Sequence, residues 1–110
     1  MIRGTTPNFT LTITDKQGHP VDFSEAEHIY VAIRQGNNLI TLSDDELTID
    51  ENVISCYLNQ ENSLALVENN KAKIQVNWTY IDGLDPETKR SATVVKEIMI
   101  NEQLIKEVLP

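Results

Sequence analysis

The sequence predicts an all-β domain, an antiparallel sandwich of about seven short strands. Three observations carry that reading. Apolar and polar residues alternate with period two along several separate segments, the pattern of strands that keep one face in a core and the other in water. Turn-forming residues punctuate those segments at close spacing. No long helical period stands between the strand patterns, so the βαβ units of a parallel sheet are excluded. The 110 residues are the size of one small domain. A single sandwich is expected to span residues 1–110, with 1–7 as an N-terminal arm and 102–110 as a C-terminal tail.

The elements follow in chain order. Phe9, Leu11 and Ile13 alternate with Thr10, Thr12 and Thr14. Asp15, Lys16, Gln17 and Gly18 then match a type I turn, with Asp first and Gly last. Ser24 and Glu27 match a capping box around one helical turn. Ile29, Val31 and Ile33 alternate with Tyr30, Ala32 and Arg34, and residues 35–38 supply a hairpin turn that tolerates positive φ. Short strands fit 39–42 and 47–49. Asp50, Glu51 and Asn52 turn the chain into Ile54, Cys56 and Leu58. Asn59 caps a turn or two over 60–66, with Glu61 near its positive end.

The longest alternation places Ala72, Ile74, Val76, Trp78 and Tyr80 on the core side of a central strand. Asp82 and Gly83 open a polar loop expected to run through Pro86 to Arg90 and to be mobile. In the last strand, 92–100, Val94, Ile98 and Ile100 share one parity and Val95 and Met99 the other, so both faces need a cover. Leu104, Ile105, Val108 and Leu109 fit one side of a short helix. That tail either folds back on the strand or docks on a neighbouring subunit, which makes a homo-oligomer. A helical turn before the longest strand marks the sandwich as immunoglobulin-like in architecture, without the usual disulfide and its tryptophan; a small barrel is the competitor.

Composition bounds the function. Nine basic and seventeen acidic residues give a net charge of −8. Nucleic acid and anionic membrane surfaces are not expected partners, because both demand clustered Lys and Arg. One cysteine, Cys56, excludes an internal disulfide. The longest apolar runs, 29–33 and 64–67, fall far short of the roughly 20 residues of a membrane span. With no apolar signal region behind Arg3, a soluble protein that starts its life in a cytoplasm is expected.

Residues that could carry chemistry have plainer readings. Cys56 lies between Ile54 and Leu58 with no nearby histidine and reads as a small core hydrophobe. His19 and His28 read as exposed and unspecialised. Asp44, Asp45, Glu46, Asp50 and Glu51 cluster without the spacing or glycine of a calcium loop. Trp78 shares the core parity of Ile74 and Val76, so a buried ring is expected rather than a sugar platform. No phosphate loop, metal spacing or catalytic carboxylate pair stands out, so no catalytic, cofactor or metal residue is assigned. Tyr30, Arg34 and Tyr57 have outward parity, and Tyr and Arg are enriched at interfaces. Together with Val95, Met99, Leu104, Ile105, Val108 and Leu109 they form the expected protein-contact set.

The segment from Ile13 to Ser24, with its Asp15, Lys16, Gly18 turn and its Pro20-Val21-Asp22-Phe23-Ser24 step, resembles the opening of phage baseplate upper-protein N-terminal domains. Those domains continue with an alternating strand and a Gly/Asn turn, here 29–35 followed by Gly36, Asn37 and Asn38. Most of the chain is similar to small prophage tail proteins of Gram-positive bacteria. The shared pieces are the Met-Ile-Arg-Gly-Thr-Thr-Pro start, the Leu58-Asn59-Gln60-Glu61 step and the strand from Lys71 to Val76. The resemblance implies a non-enzymatic structural or adaptor protein of a tail or baseplate, with other virion proteins as partners. It implies assembly in the host cytoplasm and residence in the virion. The runner-up is a carbohydrate-binding or adhesive module, which requires aromatic rings exposed on a face or in loops.

Overall fold

Alternation becomes seven strands and one short helix among the described residues of the computed structural model. They are β1 (Asn8–Thr12), β2 (Ala26–Gln35), β3 (Asn38–Ser43), β4 (Thr48–Asp50), β5 (Val53–Tyr57), α1 (Gln60–Leu64), β6 (Asn70–Asp82) and β7 (Asp85–Ile100), with a 3-10 turn at Asp44–Glu46. The structure describes every residue except 16, 25, 83–84, 105–107 and 110, and describes the backbone alone at 82, 85–86 and 93–96.

All pairings between these strands are antiparallel, and they make two sheets. One is ordered β1-β5-β4 and the other β3-β2-β6-β7. Matched to immunoglobulin strands, these are B-E-D and C′-C-F-G, and α1 stands at the E–F corner. The inner faces meet in one core. Phe9, Leu11, Ile54 and Cys56 come from the first sheet; Ile29, Val31, Ile33, Ile40, Leu42, Ala72, Ile74 and Val76 come from the second. All but Ile40 and Leu42 are positions that alternation assigns inward. The β2–β3 turn has Gly36 at φ 59°, which places glycine at the first central position, as a type II′ hairpin requires.

Polar ties fasten the β5–β6 corner, the last of three places where the chain passes between sheets. Asn59 Oδ1 accepts the Asn62 N–H at 2.8 Å, the expected cap. The Arg3 guanidinium donates to the carbonyls of Leu64 and Leu66 at the end of α1, at 2.6–3.0 Å. Gly4 N donates to the buried Ser63 Oγ at 2.8 Å, and Gly4 sits at φ 82°. Its missing Cβ would come within 2.9 Å of Leu64 Cδ2. From the other sheet, the buried Gln35 side chain donates through Nε2 to the carbonyls of Val67 and Asn70, at 2.7 and 3.3 Å, and accepts the Val67 N–H through Oε1. The segment 1–5 is thus built into the fold: Ile2 bridges Asn101 and the N-terminal amine donates to the Met99 carbonyl.

Five expectations need correction. Among the described residues the turn expected at 24–27 is cut short: the Ala26 N–H bonds the Phe23 carbonyl at 3.1 Å but Ala26 already begins β2, and Asp22 Oδ1 takes the Ser24 N–H, while Glu25 lies outside the described residues. The expected polar loop to Arg90 is strand, with pairing that continues through Thr79↔Arg90 and Tyr80↔Lys89 to Asp82↔Asp85. Among the described side chains there, Ile81, Glu87, Thr88 and Arg90 are exposed, so this end of the hairpin carries little alternation. Parity in β7 breaks at a bulge: Lys96 stands opposite Ile74 and Val94 opposite Gln75, which leaves Val95 without a partner. Val94 and Ile98 therefore do not share a face register. The described tail residues are not helical. Gln103 N bonds Glu68 Oε2, and Leu109 exchanges two bonds with the Gln60 amide, so tertiary partners replace helical ones. Finally, Trp78 is only half-buried, packed edge-on against Phe23 with centroids 5.4 Å apart.

Replacing Gln35 with leucine keeps the volume but strands the Val67 N–H and carbonyl. Urea unfolding of Gln35→Leu is expected to show a loss of about 2 kcal/mol with an unchanged slope, whereas Thr41→Val on the outer face should stay within about 0.5 kcal/mol. Equal stability of the two variants would show that the tie is idle.

Candidate functional site

Two surfaces outside the core gather the side chains that could meet a ligand or partner. The first is the outer face of β3-β2-β6-β7. Period-two alternation sends the other half of each strand there: Tyr30, Ala32 and Arg34 from β2, Leu39 and Thr41 from β3, Lys71, Lys73, Gln75 and Asn77 from β6. Arg90, Glu97 and Met99 join them from β7. Arg90 donates through Nε and Nη2 to the buried Asn77 Oδ1, at 3.2 and 2.8 Å, which holds the guanidinium on the face. Lys71 pairs with Glu97 at 3.4 Å. Arg34 Nε donates to the Gly36 carbonyl at 3.1 Å. Lys73 makes no ion pair among the described residues. Leu39 is 62% exposed and Met99 43%.

The second surface is a groove of 630 Å³ where short β4 leaves the first sheet narrow. Tyr57, 59% exposed, stands over it. Asn8, Asn59 and Asn62 supply amides, Asp45 and Glu46 carboxylates, and Thr10, Thr48 and Ser55 hydroxyls, with Phe9, Leu42 and Cys56 at its floor. Burial pushes the Cys56 thiol up, which keeps it neutral and a poor nucleophile.

At the upper end of the first surface, His28 Nδ1 lies 2.8 Å from Asp44 Oδ2, and Asp44 Oδ1 accepts the Ile29 N–H at 2.8 Å. The bond and charge of Asp44 raise the His28 pKa above the ordinary imidazole value. The Ile29 N–H, then His28, hold the Asp44 carboxyl below the usual range. His28 is thereby tied to the 3-10 turn rather than unspecialised. His19 remains in an exposed turn, 3.8 Å from Asp15.

The structure divides the expected contact set. Tyr30, Arg34 and Met99 share the outer face of the larger sheet. Tyr57 belongs to the groove on the other sheet. Leu104, 86% exposed, Val108 and Leu109 lie on the tail near α1. Ile105 and the side chain of Val95 lie outside the described residues. Trp78 and Tyr80 flank a small hollow with Asp22, Ala26 and Ser91, away from the groove. Sequence reasoning did not gather the cations. Their signal was present, since Lys71 and Lys73 have the outward parity of Arg34, but pairing of β6 with β2 and β7 is what assembles them. The groove had no such signal, because Asn8, Glu46 and Asn62 are far apart in the chain. A scan against family models and searches of curated proteins and of solved structures find no match to this chain.

The His28–Asp44 pair sets a pH window. The raised His28 pKa contributes stability below about pH 6.5, lost as pH rises through the folded value; the lowered Asp44 pKa contributes above about 3.8, lost as pH falls. The contact is fullest between those limits. An NMR titration should place the His28 midpoint above 6.5, and Asp44→Asn should bring it down. A midpoint unmoved by that substitution would dissolve the pair.

Proposed function

We propose that the protein is a non-enzymatic structural or adaptor component of a phage or prophage tail or baseplate, working through protein–protein contacts. The observation that carries this reading is the broad outer face of the four-stranded sheet. There Tyr30, Leu39 and Met99 stand among Arg34, Lys73 and Arg90. Aromatic, Met and Arg side chains are the enriched residues of contact surfaces. The resemblance to prophage tail proteins supports the same reading, and the shared Met-Ile-Arg-Gly start supplies the Arg3 and Gly4 ties of the sheet-to-sheet corner. The partners in this reading are other virion proteins, met in the host cytoplasm during assembly.

The groove under Tyr57 favours one second reading, a saccharide-binding module. An exposed ring stacks on the apolar face of a sugar, and side-chain amides and carboxylates bridge adjacent hydroxyls.

Mass spectrometry of tail fractions from an induced host is expected to detect the chain in particles or in tail-assembly intermediates. Its absence from both would sink the structural reading. Titration of ¹⁵N-labelled protein with cell-wall saccharides should leave the resonances of Tyr57, Asn59 and Asn62 unmoved. Shifts there that vanish in Tyr57→Ala would move the assignment to the second reading.

A further inference from the structure

The charges are separated. Of nine basic residues in a chain of net charge −8, four sit on the outer face of the larger sheet: Arg34, Lys71, Lys73 and Arg90. Glu97 is the carboxylate paired on that face among the described residues, and it offsets Lys71. Carboxylates concentrate instead on the edge where β3 passes to β4 and β4 turns to β5. Asp44, Asp45, Glu46, Asp50 and Glu51 all stand exposed there. His28 engages Asp44 alone of these.

Both surfaces also carry apolar area. Leu39 and Met99 are exposed on the basic face, and Ile49 and Tyr57 beside the acidic edge. A two-fold contact of the face with itself would press cations on cations. A head-to-tail contact instead sets the basic face of one copy against the acidic edge of the next. Such a heterologous contact repeats, and closes into a ring when its rotation allows.

We infer that the outer face of β3-β2-β6-β7 docks the acidic β3–β4–β5 edge of a second copy of this chain, head to tail. This rests on the protein-contact reading of that face and names its occupant. The match of a cationic face to a carboxylate edge selects the second copy as that occupant.

Sedimentation velocity at low and high salt tests it with two charge-reversed forms, Arg34→Glu with Lys73→Glu and Asp45→Lys with Glu46→Lys. All four positions lie outside the core, and circular dichroism checks each fold. The wild type is expected to associate beyond a dimer at low ionic strength and to dissociate as salt screens the contact. Each reversed form alone should associate at least about tenfold more weakly, because it sets like charges against each other. Mixing the two should restore association, since the mixture again offers a basic surface to an acidic one. The neutral form Arg34→Gln with Lys73→Gln should fall between.

A wild type that stays monomeric at high concentration and low salt overturns the inference, as does an oligomer indifferent to both reversals. Either result, with the chain still found in tail fractions, would leave the contact reading standing and remove only the self-docking.

Discussion

The chain changes sheets three times, between β1 and β2, β3 and β4, and β5 and β6, and the polar ties at the last of these corners hold the two sheets against each other. Arg3 and Gly4 reach the corner from the N-terminus, Gln35 from the end of β2, and Asn38 from the adjoining hairpin, through the Ala65 carbonyl at 3.3 Å. A five-residue helix has too few internal bonds to stand alone. Its end carbonyls are satisfied because distant parts of the chain supply donors. Leu58 and Leu66, buried on either side of it, set the depth at which the corner seats on the core.

Most of this architecture was legible because burial on one face writes itself as alternation. Phe9, Leu11, Ile33, Ile54, Ile74 and Val76 were readable as core for that reason. The far half of the β6–β7 hairpin was not readable. Around Ile81 and Thr88 the strands stand beyond the core, and a strand wetted on both faces leaves no period in its residues. Nor was the corner legible as a network. Asn59 announced its own cap three residues away, but the ties from Arg3 and Gln35 span 63 and 32 residues. A hydrogen bond that long has no local sequence signature.

The candidate surfaces show the same division. Outward parity located Tyr30, Arg34 and Tyr57 individually, and each is on a surface. Parity does not say which sheet a strand joins, so it could not separate Tyr57 from the other two. Once β2, β3, β6 and β7 lie side by side, scattered Lys and Arg become a field on one face of an acidic body. A net charge near −8 therefore describes the whole chain well at long range and its largest flat face poorly at contact range.

The unpaired residue in β7 has a consequence for how the chain tolerates changes in length. Val95 acts as a phase shifter: the strand on one side of it is offset by one step from the strand on the other. Removing Val95 would leave every other residue opposite its present partner and make the ladder regular, whereas removing one residue elsewhere in the strand, such as Ser91, would slip one half by one step and send its side chains to the opposite face. Adding or removing residues at the Gly36–Asn37 tip likewise leaves every phase intact. Two deletions of the same size, a few residues apart in the chain, thus carry opposite outcomes, one the loss of a bulge and the other an inversion of half a strand.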